Sequence, residues 1–290
     1  MGLAAGSWSW HEDYYAGRWS LLDLPSSAKA AGLAYIDCND FMLPPPRLSR
    51  LRQPLLRLLP GAPPELWRYS RATLARLAAL AQAEGVTILT WMINSDFSAP
   101  AWAWPAQRLY LRRGLDAARR LKVKLLRVNL GQRDAVSDAL VAARLAEFVQ
   151  ASARREHGLS ITVENHWGIS TDIERHLRIV REAGQRLSEA ERDKFGCCFD
   201  PDNMPRADAP EETVDRWWRA LASEANHYHF KTTAFDEDGN DTSLPHAQLL
   251  SLLRDVDYAG DAAIEFQGEG DAVEAVRRSR AFFERLEQPV

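Results

Sequence analysis

Four short segments of this 290-residue chain carry polar side chains at every second position with apolar residues between them, and a fifth ends in an acid. Thr162, Glu164 and His166 alternate with Ile161 and Val163. His227, His229 and Lys231 alternate with Tyr228 and Phe230, Glu265 and Gln267 flank Phe266, and Arg127 and Asn129 separate Leu126, Val128 and Leu130. Asp200 closes the run 195–200. A period of two marks an extended strand with one apolar face. Burying two glutamates, an aspartate and a histidine together costs on the order of several kcal/mol per uncompensated charge, so a cation belongs among them. One divalent metal ion answers that need. The oxygen-rich donor set suits Mn²⁺ first, then Mg²⁺ or Co²⁺, and the affinity order of first-row metals leaves Zn²⁺ open. The alternative is an internal salt-bridge network with Arg127 and Lys231. The metal is the preferred reading because four separate strands each offer a ligand at their end.

These residues need a scaffold that delivers several strand ends to one place. Candidate strands fall at 6–10, 34–38, 86–91, 124–130, 160–165, 195–200, 227–232 and 262–266, separated by segments whose apolar residues recur at three and four. Helices are expected near 20–31, 66–84, 108–121, 138–157, 172–183, 213–224, 246–255 and 271–286; the second starts after Pro63-Pro64 and stops at Gly85. Eight β/α units in a chain of this length describe a single-domain (β/α)8 TIM barrel over residues 1–290. A stretch from 41 to 65 holds seven of the fifteen prolines and reads as an insertion after strand 2, in a βα loop. Such loops lie on the catalytic face, so a lid, an oligomer contact and a plain surface excursion are all open.

Composition narrows the function. The chain is 46% hydrophobic and 26% charged, and 36 basic against 40 acidic residues leave a net charge of −4, which argues against a nucleic-acid partner. The N-terminus lacks a secretory pattern and no uncharged apolar run is long enough to span a bilayer, so neither secretion nor a membrane is expected. Three cysteines, Cys38 and the adjacent Cys197 and Cys198, fit neither a disulfide framework nor a zinc ribbon and point to a cytoplasmic protein. Cys197 and Cys198 read as core residues. His11, His157, His176 and His246 read as loop or helix-surface residues without a role.

In order and spacing, Val163-Glu164-Asn165-His166, Phe199-Asp200-Pro201-Asp202-Asn203, His227-Tyr228-His229-Phe230-Lys231 and Ile264-Glu265-Phe266 resemble the xylose isomerase-like superfamily of TIM barrels, the sugar phosphate isomerase/epimerase group. The resemblance covers nearly the whole chain. It implies that Glu164, Asp200, His229 and Glu265 bind one divalent metal and that Glu164 and Glu265 flank the substrate as a proton-transfer pair. A metal holding a substrate carbonyl and its neighbouring hydroxyl acidifies the intervening C–H, which is the chemistry of isomerisation or epimerisation. Lys231 is then a candidate for steadying the oxyanion, and His166, Asn203 and Arg127 for binding hydroxyls or a carboxylate; a structural hydrogen bond is the alternative for each. Homo-oligomers are common in the group.

One departure concerns subclass. Many epimerases of the group carry a histidine three residues after the strand-six aspartate, where this chain has Asn203, which cannot shuttle a proton. Three-zinc abasic-site nucleases on the same barrel need further histidines, absent from 36–39, 91–94 and 200–203. Ten tryptophans are present; Trp8, Trp10, Trp91, Trp102, Trp104 and Trp167 lie at strand ends or in the loops after them, and Trp8, Trp91 and Trp167 are candidate sugar-stacking residues. Trp19, Trp67, Trp217 and Trp218 read as core or interface anchors. Glu269 and Asp271 in the last βα loop would repel a phosphate, so an unphosphorylated keto sugar or polyol is the expected partner. Two other readings remain: a lyase on the same site, resembling inosose dehydratases or enzymes that cleave oxidised glycosides, and a non-catalytic sugar-binding subunit.

Overall fold

Eight parallel strands close in sequence order: β1 Leu3–Gly6, β2 Tyr35–Asn39, β3 Thr87–Met92, β4 Leu125–Val128, β5 Ser160–Glu164, β6 Phe195–Phe199, β7 Ala225–Thr232 and β8 Asp261–Phe266, with β8 returning to β1. The computed structural model describes residues 1–45, 61–68, 70–154 and 158–288. Helices α1 His11–Tyr15 and α2 Leu24–Ala30 follow β1, and α3 Arg71–Glu84 follows β2. Beyond β3, β4 and β5 come α4 Trp104–Leu121, α5 Asp138–Ala153, and α6 Ile173–Gly184 with the short α7 Glu189–Arg192. The last three strands lead to α8 Glu211–Ser223, α9 His246–Asp255 and α10 Ala272–Glu287. This is the (β/α)8 barrel that the alternation predicts. No helix among the described residues is long and apolar enough to cross a membrane.

Side chains alternate across each strand, so one set meets the helices and the other the lumen. The outward set is apolar: Val128, Ile161, Val163, Phe199, Tyr228 and Phe230 are all buried. Phe230 lies 5.1 Å from Phe283 and 5.9 Å from Phe282 of α10, ring centroid to ring centroid. The inward set is the polar one, including Arg127, Thr162, Glu164, His227, His229, Lys231 and Glu265.

The structure corrects several expectations. Residues 7–10 form a turn of 3-10 helix instead of strand, and β1 ends at Gly6. The cause is local: a Cβ at Gly6 would stand 2.7 Å from the Ile264 carbonyl oxygen, and the hydroxyls beyond it take over the ladder. Ser9 donates to the Ile264 carbonyl and accepts from the Phe266 N–H, while Ser7 accepts from the Asn39 N–H. The helix expected from Leu66 starts at Arg71, because Pro64–Trp67 form a separate 3-10 turn and Ser70 caps α3 by accepting from the Thr73 N–H. The 41–65 stretch is described only at its ends; Pro46, Pro54 and Pro60 lie outside the described residues, as does His157.

Two histidines expected at the surface are buried. His246 sits beneath α10 with Nε2 3.1 Å from Asp241 Oδ1. His176 on α6 places Nδ1 3.0 Å from Ser170 Oγ and Nε2 3.6 Å from Cys197 Sγ. Burial pushes its pKa down to about 4, below the unfolded value of about 6.5, so as the pH falls the unfolded chain takes up the proton first. The stability that neutral His176 contributes is present above about pH 6.5 and lost between there and pH 4. Urea unfolding at about pH 7 and about pH 4 is expected to show the wild type losing on the order of 3 kcal/mol more than His176→Gln. Equal losses would place the acid sensitivity elsewhere.

Candidate metal centre

Each acidic side chain of the centre comes from a strand end, where the inward face stops being a packed core and opens towards the βα loops. Glu164 is the last residue of β5, Asp200 follows β6, His229 and Lys231 lie on β7 and Glu265 on β8. All five are buried. His229 Nδ1 stands 3.2 Å from Asp200 Oδ2, 3.3 Å from Glu164 Oε1 and 3.5 Å from Glu265 Oε2. One N–H cannot serve three acceptors. Donors held at about 2.1 Å from one ion stand about 3.0 Å apart at adjacent octahedral corners and about 3.4 Å apart in a tetrahedron, so these separations fit a shared divalent cation. Glu164, Asp200 and His229 each offer a ligand atom within 4.8 Å of the others, and Glu265 approaches the same nitrogen from β8.

The remaining cations are committed to these carboxylates. Lys231 Nζ lies 2.8 Å from Glu265 Oε2 and 3.2 Å from Asp200 Oδ2. With its amide oxygen turned inward, Gln267 accepts from the same ammonium at 2.8 Å and donates to Asp202 at 3.3 Å. Burial alone would favour the neutral amine, but Asp200, Glu265 and Glu164 outweigh it and hold Lys231 charged, its pKa above the usual lysine value. Arg127 Nε lies 2.9 Å from Glu164 Oε2. Burial would raise the Glu164 pKa; Arg127, His166 and His229 overcome it and keep the carboxyl ionised well below the ordinary range. For Asp200 the same contest, with Lys231 and His229 as the winning charges, also ends low.

Sequence reasoning passed over the cradle that holds Arg127. Its Nη2 donates to Asn39 Oδ1 at 2.9 Å, and its Nη1 to Asn129 Oδ1 at 3.3 Å and Asn94 Oδ1 at 3.4 Å. Asn39 is in turn held by Ser7 Oγ. The available signal was an asparagine at the end of an apolar strand run, at 39 and at 94. Asn203, expected as a hydroxyl binder, donates to Glu164 Oε1 at 3.1 Å, while Oε2 is paired with Arg127 by charge alone, without a well-aligned hydrogen bond. Its own N–H and that of Asp202 point to Asp200 Oδ1, which ties this loop to the centre.

Above the centre lies a cavity of about 430 Å³. Its floor is Arg127, Glu164, Lys231 and Glu265, and its walls are Trp8, Tyr15, Asn39, Phe41, Glu65, Asn94, His166, Trp167, Asn203 and Gln267. Trp8 stacks on His11 with centroids 4.7 Å apart and meets Tyr15 and Phe41 edge-on. His166 stands perpendicular to Trp167, and burial holds its imidazole below the usual pKa, hence neutral. Trp91 is not in this wall. It is fully buried on the outward face of β3, in register with Cys38 and Leu126, because Thr90 and Met92 take the lumen side. Trp10 stacks on Trp19 in the core, Trp104 lies under Arg144, and Trp102 is exposed, so of the six tryptophans near strand ends only Trp8 and Trp167 line the cavity.

The sequence matches the family model described as xylose isomerase-like TIM barrel over residues 28–286. This chain belongs to the xylose isomerase-like TIM barrel family. Among solved structures of similar fold, an L-ribulose 3-epimerase has a TM-score of 0.69 at 16% identity, with 99% of this chain and 94% of that one covered. The IolI protein with a bound zinc atom follows at 0.65 and 16%, covering 99% and 98%. The probable 3-DHS dehydratase AsbF of Bacillus anthracis, involved in petrobactin synthesis, has 0.63 and 12%, covering 98% and 99%. No curated protein matches the sequence. At these identities the likeness is one of fold.

The buried Arg127–Glu164 pair gives a direct test of the charge state at the candidate centre. Arg127→Met leaves Glu164 without its guanidinium and is expected to lower the unfolding free energy by about 3–5 kcal/mol in denaturant titration. A loss below about 1 kcal/mol would show that Glu164 does not need this partner.

Proposed function

We propose that this protein is a divalent-metal-dependent isomerase or epimerase that moves a proton through an enediolate of an unphosphorylated keto sugar or polyol, with Mn²⁺ as the preferred ion. The observation that carries this reading is the convergence of three carboxylate oxygens on His229 Nδ1 at the floor of an aromatic-walled, amide-lined cavity. Glu164, Asp200, His229 and Glu265 would hold the ion, which supplies Lewis acidity to a carbonyl and its neighbouring hydroxyl.

The protein's own residues divide the remaining work. Glu164, paired with Arg127 on one oxygen and hydrogen-bonded by Asn203 on the other, is the fixed carboxylate of the proton-transfer pair. Glu265 is held through Oε2 alone among the described residues, by Lys231 and His229, which makes it the better-placed group to take up and return a proton. Lys231, held charged beside Glu265, would steady an oxygen on which negative charge develops. Trp8 and Trp167 offer apolar faces to sugar C–H groups, while His166, Asn39, Asn94, Asn203 and Gln267 offer hydrogen bonds to hydroxyls.

The cavity is poorly suited to an anionic substrate. Arg127 and Lys231 are turned to carboxylates, Glu65 stands in the wall, and the first N–H groups of α10 are taken by the Asp271 carboxylate. Glu65→Gln is therefore expected to narrow the preference in kcat/KM for a neutral over a phosphorylated ketose by about tenfold. An unchanged ratio would remove Glu65 from selection.

The Lys231 ammonium beside Glu265 favours a second reading, loss of a β-leaving group from the same enediolate, and the solved relatives' names include both an epimerase and a dehydratase. Incubation with Mn²⁺ and a panel of ketoses, inososes and oxidised glycosides in D₂O separates the readings: exchange of the C–H next to the carbonyl without loss of mass is the isomerase outcome, and loss of water or aglycone the lyase outcome. Glu265→Gln and chelation are each expected to reduce either activity by about 10²–10⁴-fold. Full activity in folded Glu265→Gln would overturn both.

A further inference from the structure

Below the centre, Asp37 of β2 and His227 of β7 reach across the lumen and meet at 2.6 Å, Oδ2 to Nε2, both fully buried. The chemistry proposed above makes no use of them. At 2.6 Å the contact is a hydrogen bond, closer than the about 3.0 Å that separates two ligand atoms of one ion. The His227 ring is perpendicular to that of His229, at 86° with centroids 5.4 Å apart, and Asp37, His227 and His229 bring donor atoms within 4.8 Å of one another.

His229 is the residue whose orientation matters most, since its Nδ1 is the point on which three carboxylates converge. A metal-ligating histidine is ordinarily fixed by a hydrogen bond from its other ring nitrogen. Here, among the described residues, Nε2 meets no carboxylate or carbonyl oxygen, and the Cys198 thiol beside the ring is only a weak hydrogen-bonding partner. With Nδ1 turned to the carboxylates, no strong hydrogen bond from the far side of the ring sets the plane of this imidazole. Leucine and phenylalanine would fill the lumen without the desolvation penalty of a buried Asp–His pair, so the pair calls for a role beyond packing.

We propose that Asp37 and His227 are positioning residues for His229: Asp37 holds the His227 ring by its hydrogen bond, and that perpendicular ring holds the His229 imidazole in the plane that aims Nδ1 at Glu164, Asp200 and Glu265. The proposal rests on the metal reading above and concerns ligand geometry, with no contact to substrate.

Co²⁺ serves as the probe, since its visible absorption reports ligand geometry independently of turnover. Asp37→Asn and the double variant Asp37→Leu/His227→Leu are expected to bind Co²⁺ about 10–100-fold more weakly than the wild type and with an altered spectrum. The double variant removes both polar partners together and avoids stranding a buried charge, so it decides the matter if Asp37→Asn fails to fold. Wild-type affinity and spectrum in the folded double variant would overturn the positioning role while leaving the metal reading intact. A wild type that binds no Co²⁺ would overturn both.

Discussion

Three buried carboxylates pressed towards one imidazole nitrogen repel one another strongly, because little solvent reaches between them to screen them. Most of what surrounds the site answers that repulsion. Arg127 takes one oxygen of Glu164, and Lys231 lies between Asp200 and Glu265. These two cations leave one negative charge over. Burial would make His229 a weaker base, but the Glu265 and Glu164 carboxylates and a hydrogen bond to Asp200 raise its pKa well above the ordinary value, so the imidazole either carries that charge's counter-proton or gives it up to a divalent ion.

The barrel makes such a concentration tolerable by enclosing it between an apolar shell and a layer of neutral donors. Arg127 is oriented by three asparagines, and one of these is held by Ser7 from the turn after β1. The same turn carries Ser9, whose hydroxyl stands in for the missing ladder bonds at the end of β8. Ending β1 early, at Gly6, therefore does two things at once: it lets the chain approach the β8 backbone closely and brings Trp8 to the cavity wall.

Much of the centre was legible from parity alone. On β5, β7 and β8 the alternation of apolar and ionisable residues assigns Glu164, His229, Lys231 and Glu265 to the lumen without any knowledge of neighbouring strands, because the two faces of a barrel strand meet different media. The same rule read with care places Trp91 outward, since Thr90 and Met92 are its lumen-side neighbours. Being aromatic and close to a strand end was the weaker signal. Asn39 and Asn94 escaped attention because an asparagine at a strand end looks like a turn former until an arginine from another strand is seen to need its oxygen. His176 was misplaced by residue type: its position, three after Ile173 and four before Val180, puts it on the apolar face of α6, where a histidine is less expected than an aliphatic residue.

The sequence by itself determined the number of β/α units, the face of each strand that is polar, and the chemical types gathered at the strand ends, since all three follow from local periodicity and composition. Only the tertiary structure decided which groups are partners. That Arg127 serves Glu164, that Lys231 divides itself between Asp200 and Glu265, and that Asp37 meets His227 across the lumen are contacts between distant segments. They depend on the stagger of neighbouring strands around the closed barrel, a property of closure that no strand carries alone.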